Sequence, residues 1–409
     1  MRLARALVAT SLTALLLSGC ASADPEEAAP IADPATTEEG EDGHGDVAGA
    51  AEVAEPPLGL VAVDADGAVA SVDLLTGEDR TVGRVDAPSA VHSDGRYVFA
   101  TTGGGLDVID SGLWTWDHGD HFHYYRAEPA LLGTVLGEGD ANVTGGALST
   151  AGGTGVFFAG SGDAVLLDNA ALSDGEIAES FRVSTGASAG FVAPMDGGAV
   201  IGDADAGTVR FHDVDGEPVG EAVDCAGASG AIATRAGLVL GCDDGALVAT
   251  AAGDAAEFER VRYPEGVVAE ERAVAFDGRK GRPTVAAVAG DRGLWTLDAR
   301  ELAWELIETE RPLATVVAVD DDATHVVALD VDGRVRVLRA DTGEEIGVTE
   351  PLVEPQEVDR ASVFVDGQRA YVNAASDGVV HEIAYADGAR IARSIEMPVA
   401  PVLFAEVGR

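Results

Sequence analysis

Lysine is almost missing from this chain. Lys280 is the only one in 409 residues, and 26 basic side chains face 71 acidic ones, for a formal net charge of −45. A polyanionic surface repels phosphate backbones and anionic headgroups, which excludes nucleic acid and acidic lipid surfaces as partners. It concentrates cations without selecting among them. Cysteine is nearly as scarce: Cys20, Cys225 and Cys242 are the whole complement. No Cys-x-x-Cys spacing occurs, so a thiolate metal or redox site of that kind is excluded. Aromatic residues make up 5% of the chain, and helical periodicity is nearly absent. Past the N-terminus no apolar run is long enough for a membrane helix. There is no nucleophilic triad motif and no cofactor fingerprint.

The N-terminus reads as a targeting segment. Arg2 and Arg5 precede an apolar stretch from Leu7 to Leu17, which ends in Leu17-Ser18-Gly19-Cys20. This is the pattern of a bacterial lipobox, in which small residues fit the peptidase and the thiol accepts a diacylglycerol. Residues 1–20 are therefore expected to be a lipoprotein signal peptide. The mature protein would begin at a lipidated Cys20, anchored to the outer face of the cytoplasmic membrane. Residues 21–57 contain no Lys, no Arg and no aromatic ring. Such a stretch buries too little apolar surface to offset its ordering entropy, and its like charges extend it, so a disordered acidic tether is expected. His44, within Glu-Asp-Gly-His-Gly-Asp, reads as a solvated linker residue. In an oxidising compartment, Cys225 and Cys242 are expected to form a disulfide that closes a short loop.

Residues 58–409 are predicted to form one all-β domain. Runs of Val, Leu, Ala and Phe alternate with Asp-Gly, Gly-Gly and Gly-Asp turns, and the strand groups recur about every 44 residues, the spacing of propeller blades. Ser71-Val-Asp-Leu-Leu-Thr-Gly-Glu and Arg336-Val-Leu-Arg-Ala-Asp-Thr-Gly-Glu read as third strands running into an outer turn. The template predicts a β-propeller of eight blades, with seven as the alternative. Blades are expected over 82–135, 138–182, 187–223, 228–263, 271–308, 313–350 and 358–396. The last is shared between the two ends: Val402-Leu-Phe-Ala-Glu-Val would supply the innermost strand beside residues 60–85, closing the ring and removing a free sheet edge. The low aromatic content departs from WD-type blades, so aliphatic packing is expected between sheets.

Three of the eight histidines and two carboxylates fall between Asp117 and His123. Imidazole and carboxylate are ligands of divalent zinc. In an extended chain His121 and His123 project from one side and can share an ion, and Gly119 lets His118 fold back. Asp117 or Asp120 would be a fourth ligand, or an acceptor that orients an imidazole. His92, before the Ser93-Asp-Gly-Arg96 turn, is a candidate distant contributor, with a half-buried strand residue as the equal alternative. Phe122, Tyr124 and Tyr125 are expected to pack the loop. His212, His325 and His381 read as structural, and Asp320-Asp-Asp322 as a solvated turn. Imidazole binds metal only in its neutral form, so affinity should fall as pH drops through about 6.5.

The His-Gly-Asp-His-Phe-His-Tyr-Tyr stretch, Gly155-Val-Phe-Phe-Ala-Gly, the Asp168-Asn turn, Cys225-Ala-Gly and Gly241-Cys-Asp-Asp-Gly resemble the periplasmic zinc metallochaperones of the AztD family. The resemblance implies a β-propeller that carries Zn2+ to the solute-binding protein of a zinc ABC importer, with His118, His121 and His123 on the metal and Asp117 or Asp120 nearby. Where the family often carries further histidines, this chain has Thr144-Gly-Gly146, Ser188-Ala189 and Ala228-Ser229. The expected function is thus a monomeric, lipid-anchored, non-enzymatic zinc-binding protein outside the cytoplasmic membrane. The alternative is a non-catalytic propeller scaffold for other envelope proteins.

Overall fold

The computed structural model describes residues 45–117 and 121–409; Cys20 and His44 lie outside them. Strand follows strand, joined by tight turns. Tyr97–Thr102 and Gly105–Asp110 pair across a two-residue Gly103-Gly104 loop, and Gly190–Met195 and Gly198–Asp203 across Asp196-Gly197. Two-residue loops containing glycine favour such hairpins.

Eight sheets of this kind follow one another along the described residues, and the architecture is a β-propeller. In the first, Leu403–Val407 lies beside Gly59–Val63, with Gly59 opposite Val407 and Val63 opposite Leu403. The chain's two ends thus share a sheet, as the sequence pattern predicts. The strands Tyr97–Thr102, Gly153–Phe158, His325–Asp330 and Leu403–Val407 are buried along their whole length. That is why they read as largely apolar runs instead of alternating ones: sheets cover them on both faces. Outermost strands such as Asp79–Arg84 and Arg390–Glu396 are exposed and charged, which blunts their free edges.

Each pair of neighbouring sheets encloses its own apolar cluster. Val61, Val98 and Ile109 fill the space between the first and second. Phe99, Val156 and Phe158 fill the next. Further round, Val327, Val337, Val363 and Val372 join the last two sheets. Leu60, Tyr371, Val380 and Phe404 then return the ring to its start. Aliphatic side chains dominate these layers, as expected for so few aromatics.

Two features depart from the regular pattern. The sixth sheet has three strands, Thr284–Val288, Gly293–Asp298 and Ala303–Glu308. Where an innermost strand would lie, residues around 277 make only single bridges, Asp277 to Ala286 and Gly278 to Ala318 of the following sheet. The second departure concerns the stretch read as tether. Ala51–Val53 is a strand, paired with Phe122–Arg126, so the disordered-tether reading does not hold for these residues. A short strand with only one β-branched side chain carries no detectable alternation; a neighbouring strand edge orders it. Among the described residues no helix is long and apolar enough to cross a membrane.

Cys225 and Cys242 form the expected disulfide, 17 residues apart in sequence, within the cluster between the fourth and fifth sheets. Closing a loop of this size restricts the unfolded chain. The Cys225→Ser/Cys242→Ser variant should therefore lose about 3 kcal/mol of stability. Denaturant titration checks this through a lowered midpoint; an unshifted midpoint would contradict it.

Candidate metal centre

The second sheet carries an inserted hairpin between its third strand, Gly105–Asp110, and its fourth, Ala130–Leu136. Leu113–Asp117 pairs with Phe122–Arg126, placing Trp114 opposite Tyr125 and Trp116 opposite His123. Ala51–Val53 adds a third strand, with Glu52 opposite Tyr125.

The ribbon rests on a column of stacked groups. Arg96 and Asp110, both buried, form a two-point ion pair, with Nε and Nη2 donating to the carboxylate at 3.0 and 2.7 Å. The Arg96 guanidinium lies 3.9 Å from the ring centre of Trp114, a cation–π contact. Trp114 stacks on Tyr125 at 5.3 Å, and Tyr125 on His123 at 6.4 Å. The Trp114 indole N–H donates to the Gly45 carbonyl at 2.9 Å. Gly45 has φ +73°, and a Cβ there would meet the Trp116 ring at 2.5 Å, so only glycine fits. On the other side of the strand, the Thr115 hydroxyl donates to Gly408 O at 2.7 Å.

Strand alternation sorts the candidate ligands. His121, His123 and Tyr125 share one side. Their partner Glu52 projects to that side too, and its carboxylate accepts from His123 Nδ1 at 2.7 Å. This fixes the His123 proton on Nδ1 and makes Nε2 the lone-pair nitrogen of the ring, the usual carboxylate–imidazole orientation of a metal ligand. The Nε2 atoms of His121 and His123 are 3.1 Å apart. Two imidazoles on one tetrahedral zinc, each about 2.0–2.1 Å from it, hold their nitrogens about 3.3 Å apart. The pair therefore fits two positions of a zinc site.

The remaining candidates are placed differently. His118 and Asp120 lie outside the described residues. Asp117 stands opposite Phe122, on the other side of the ribbon from His123, and its carboxylate accepts from Arg235 at 2.7 Å. Residues 117 and 123 are six apart along the sequence, but the reversal between them makes cross-strand pairing, not sequence distance, decide the side. His92 pairs with Phe99 and lines a central channel of about 320 Å³ together with Asp94, Asp277 and Lys280. Burial lowers its pKa and keeps it neutral. Among the described residues no group of three His, Cys, Asp or Glu is arranged to hold a metal, so neither His92 nor Asp117 completes the pair. His325, His381 and His212 bond to Asp321, Ser394 and Gly216 O within their own sheets. In the acidic turn, Asp320 accepts from the Thr284 hydroxyl. Glu52 escaped the sequence reading because it sits in acidic, alanine-rich surroundings with no strand signal. Phe122 is exposed and stacks on Tyr124.

No protein-family model matches the chain. Among solved structures it is similar to AztD from Citrobacter koseri, at 21% identity and a TM-score of 0.74, covering 86% of this chain and 97% of that one. The apo form of that protein gives a TM-score of 0.73 at the same identity and coverage. Dihydro-heme d1 dehydrogenase NirN, solved in complex with DHE, is 16% identical with a TM-score of 0.53, covering 91% of this chain and 83% of that one. These likenesses establish the fold, an AztD-like β-propeller.

Two tests follow from the geometry. Arg96→Met leaves the Asp110 carboxylate buried without its cation and should cost about 3–5 kcal/mol; adding Asp110→Asn should recover part of it. Denaturant titration of the single and double variants reads both. In the channel, burial raises the Asp277 pKa from 3.8 to about 6, against the opposing Arg409 charge and the Gly278 N–H. The folded carboxyl thus holds its proton more tightly than the unfolded one. Its contribution to stability is full below the unfolded value and is lost as pH rises through about 6. Thermal melts from pH 5 to pH 7.5 should show a shallower decline for Asp277→Asn than for the unaltered protein.

Proposed function

We propose that this protein binds zinc at the tip of the inserted hairpin and passes it on by ligand exchange to the solute-binding protein of a zinc ABC importer. The observation that carries this reading is the His121–His123 pair, with Nε2 atoms 3.1 Å apart and His123 oriented by Glu52. The AztD-like fold and the likeness of residues 118–125 to zinc metallochaperones support it. His118 and Asp120, one and three positions after Asp117, are the natural further ligands. Zinc is cargo here, and the protein makes and breaks no covalent bond in it. His121 is exposed, which suits exchange with an incoming ligand, because a partner's side chain can attack the ion before the donor releases it. The lipobox would hold the protein at the outer face of the cytoplasmic membrane, beside the importer.

Equilibrium dialysis of the chain from residue 21 onward tests the site. The His118→Ala/His121→Ala/His123→Ala variant should lose one zinc equivalent. Glu52→Gln, which keeps shape but weakens the acceptor, should bind zinc about 10–100-fold more weakly. An unchanged stoichiometry in the triple variant would reject the site. Unchanged affinity in Glu52→Gln would reject the orienting role.

A further inference from the structure

The Phe122 side of the hairpin faces a second cavity, of about 590 Å³, lined by Leu58, Leu74, Leu75, Phe122, Tyr124 and Leu148 among others. The volume is that of a small-molecule pocket. Leu75 and Phe122 are 65% and 51% exposed, an unusual amount of apolar surface left open. This cavity and the central channel share Arg279, Lys280 and Arg409, so those three cations stand where the two spaces meet. Arg409 follows the innermost strand of the first sheet, whereas Arg279 and Lys280 are there because the sixth sheet lacks a regular innermost strand. The chain instead crosses from Asp277 to Arg282 over the inner end of the sheet, held by its bridges to Ala286 and Ala318.

In this strongly acidic protein nearly every cation near these cavities is already engaged. Lys280 Nζ donates to Asp94 O and Arg409 O. Arg409 reaches Val365 O and Glu406, Arg282 reaches Asp320, and Arg369 and Arg393 share Glu382. The cavity's carboxylates are engaged too: Asp117 with Arg235, Glu382 with its two arginines, and Asp366 with Tyr371. Arg279 is the exception. Among the described residues its guanidinium has no hydrogen-bond acceptor and no ion-pair partner, although it is half-buried. Burial first and then the charge of Arg282 act against its protonated form, while Tyr385, Asp321 and Asp320 favour it; the balance holds its pKa below the usual arginine value, which a bound anion would offset. A free guanidinium fork beside an apolar wall matches a ligand with a planar carboxylate at one end and hydrocarbon at the other.

We propose that the junction of channel and cavity binds an organic carboxylate with an apolar body, its carboxylate taken by Arg279 and its hydrocarbon laid against Phe122, Tyr124 and Leu75. This site is separate from the zinc site and does not rest on it.

Titration calorimetry on the chain from residue 21 onward tests the proposal with hexanoate as probe, hexanol as its uncharged counterpart and inorganic phosphate as an anion without an apolar body. Hexanoate should bind saturably, one per chain, and the other two at least about tenfold more weakly, the loss expected when a charge-assisted bond or the apolar contact is removed. Arg279→Gln should weaken hexanoate at least about tenfold, and Arg279→Lys should fall between. Arg360→Gln, which alters an exposed arginine elsewhere, should leave binding unchanged. Circular dichroism and thermal melts confirm that each variant is folded, and Arg279→Lys gives a second reading if Arg279→Gln is not. Absence of saturable hexanoate binding, equal binding of hexanol or of phosphate, or unchanged binding when Arg279 is replaced would each overturn the proposal.

Discussion

The pairing of Leu403–Val407 with Gly59–Val63 is the constraint on which the rest of the molecule depends. Every other sheet of the ring is built from one region of the chain, and each relies on its neighbours to cover its faces. A row of such sheets would leave the first and last with an uncovered apolar face. Sharing one sheet between the chain's ends turns the row into a ring, and the cluster of Leu60, Tyr371, Val380 and Phe404 seals the join. Closure also carries Gly408 to the hairpin and to the Gly95 turn, where its N–H donates to Gly95 O at 2.6 Å. The same joint that closes the propeller therefore buttresses the strand bearing Trp114.

On that support, the column from Asp110 through Arg96, Trp114 and Tyr125 carries core rigidity to the His123 imidazole. Each step is a contact between flat groups, which limits tilt and keeps the terminal imidazole in a narrow range of orientation. Glu52 adds the remaining restraint by fixing which nitrogen carries the proton. The opposite side of the same ribbon has other surroundings: Asp117, Phe122 and Tyr124 face the cavity that Arg279 also lines. One short hairpin thus presents two chemistries, separated only by the alternation of a strand.

Much of this was legible in the sequence, and what was not has a physical reason. The repeat of apolar runs and Asp-Gly turns reports local backbone preferences, so the propeller and its closing strand could be read directly. The Asp-His-Gly-Asp-His-Phe-His run reports a local concentration of ligands, and His121 and His123 do come together. Asp117 and His92 stand apart from that pair, because their positions depend on a chain reversal and on the ring's geometry, which are set by long-range pairing. Glu52 lies some seventy residues from His123 in the chain, and Arg279 stands out only because, among the described residues, its guanidinium has no hydrogen-bond or ion-pair partner. Neither fact has a signature in sequence spacing.

Ala51–Val53 is the first strand among the described residues, only three residues long and held to the hairpin along one edge. Force applied to the chain from its N-terminal side would reach this strand before any sheet of the ring. Peeling it away would withdraw the Glu52 carboxylate from His123 while leaving the propeller whole. Tension on that side of the chain would thereby free the His123 ring to turn, with no change in the body of the protein.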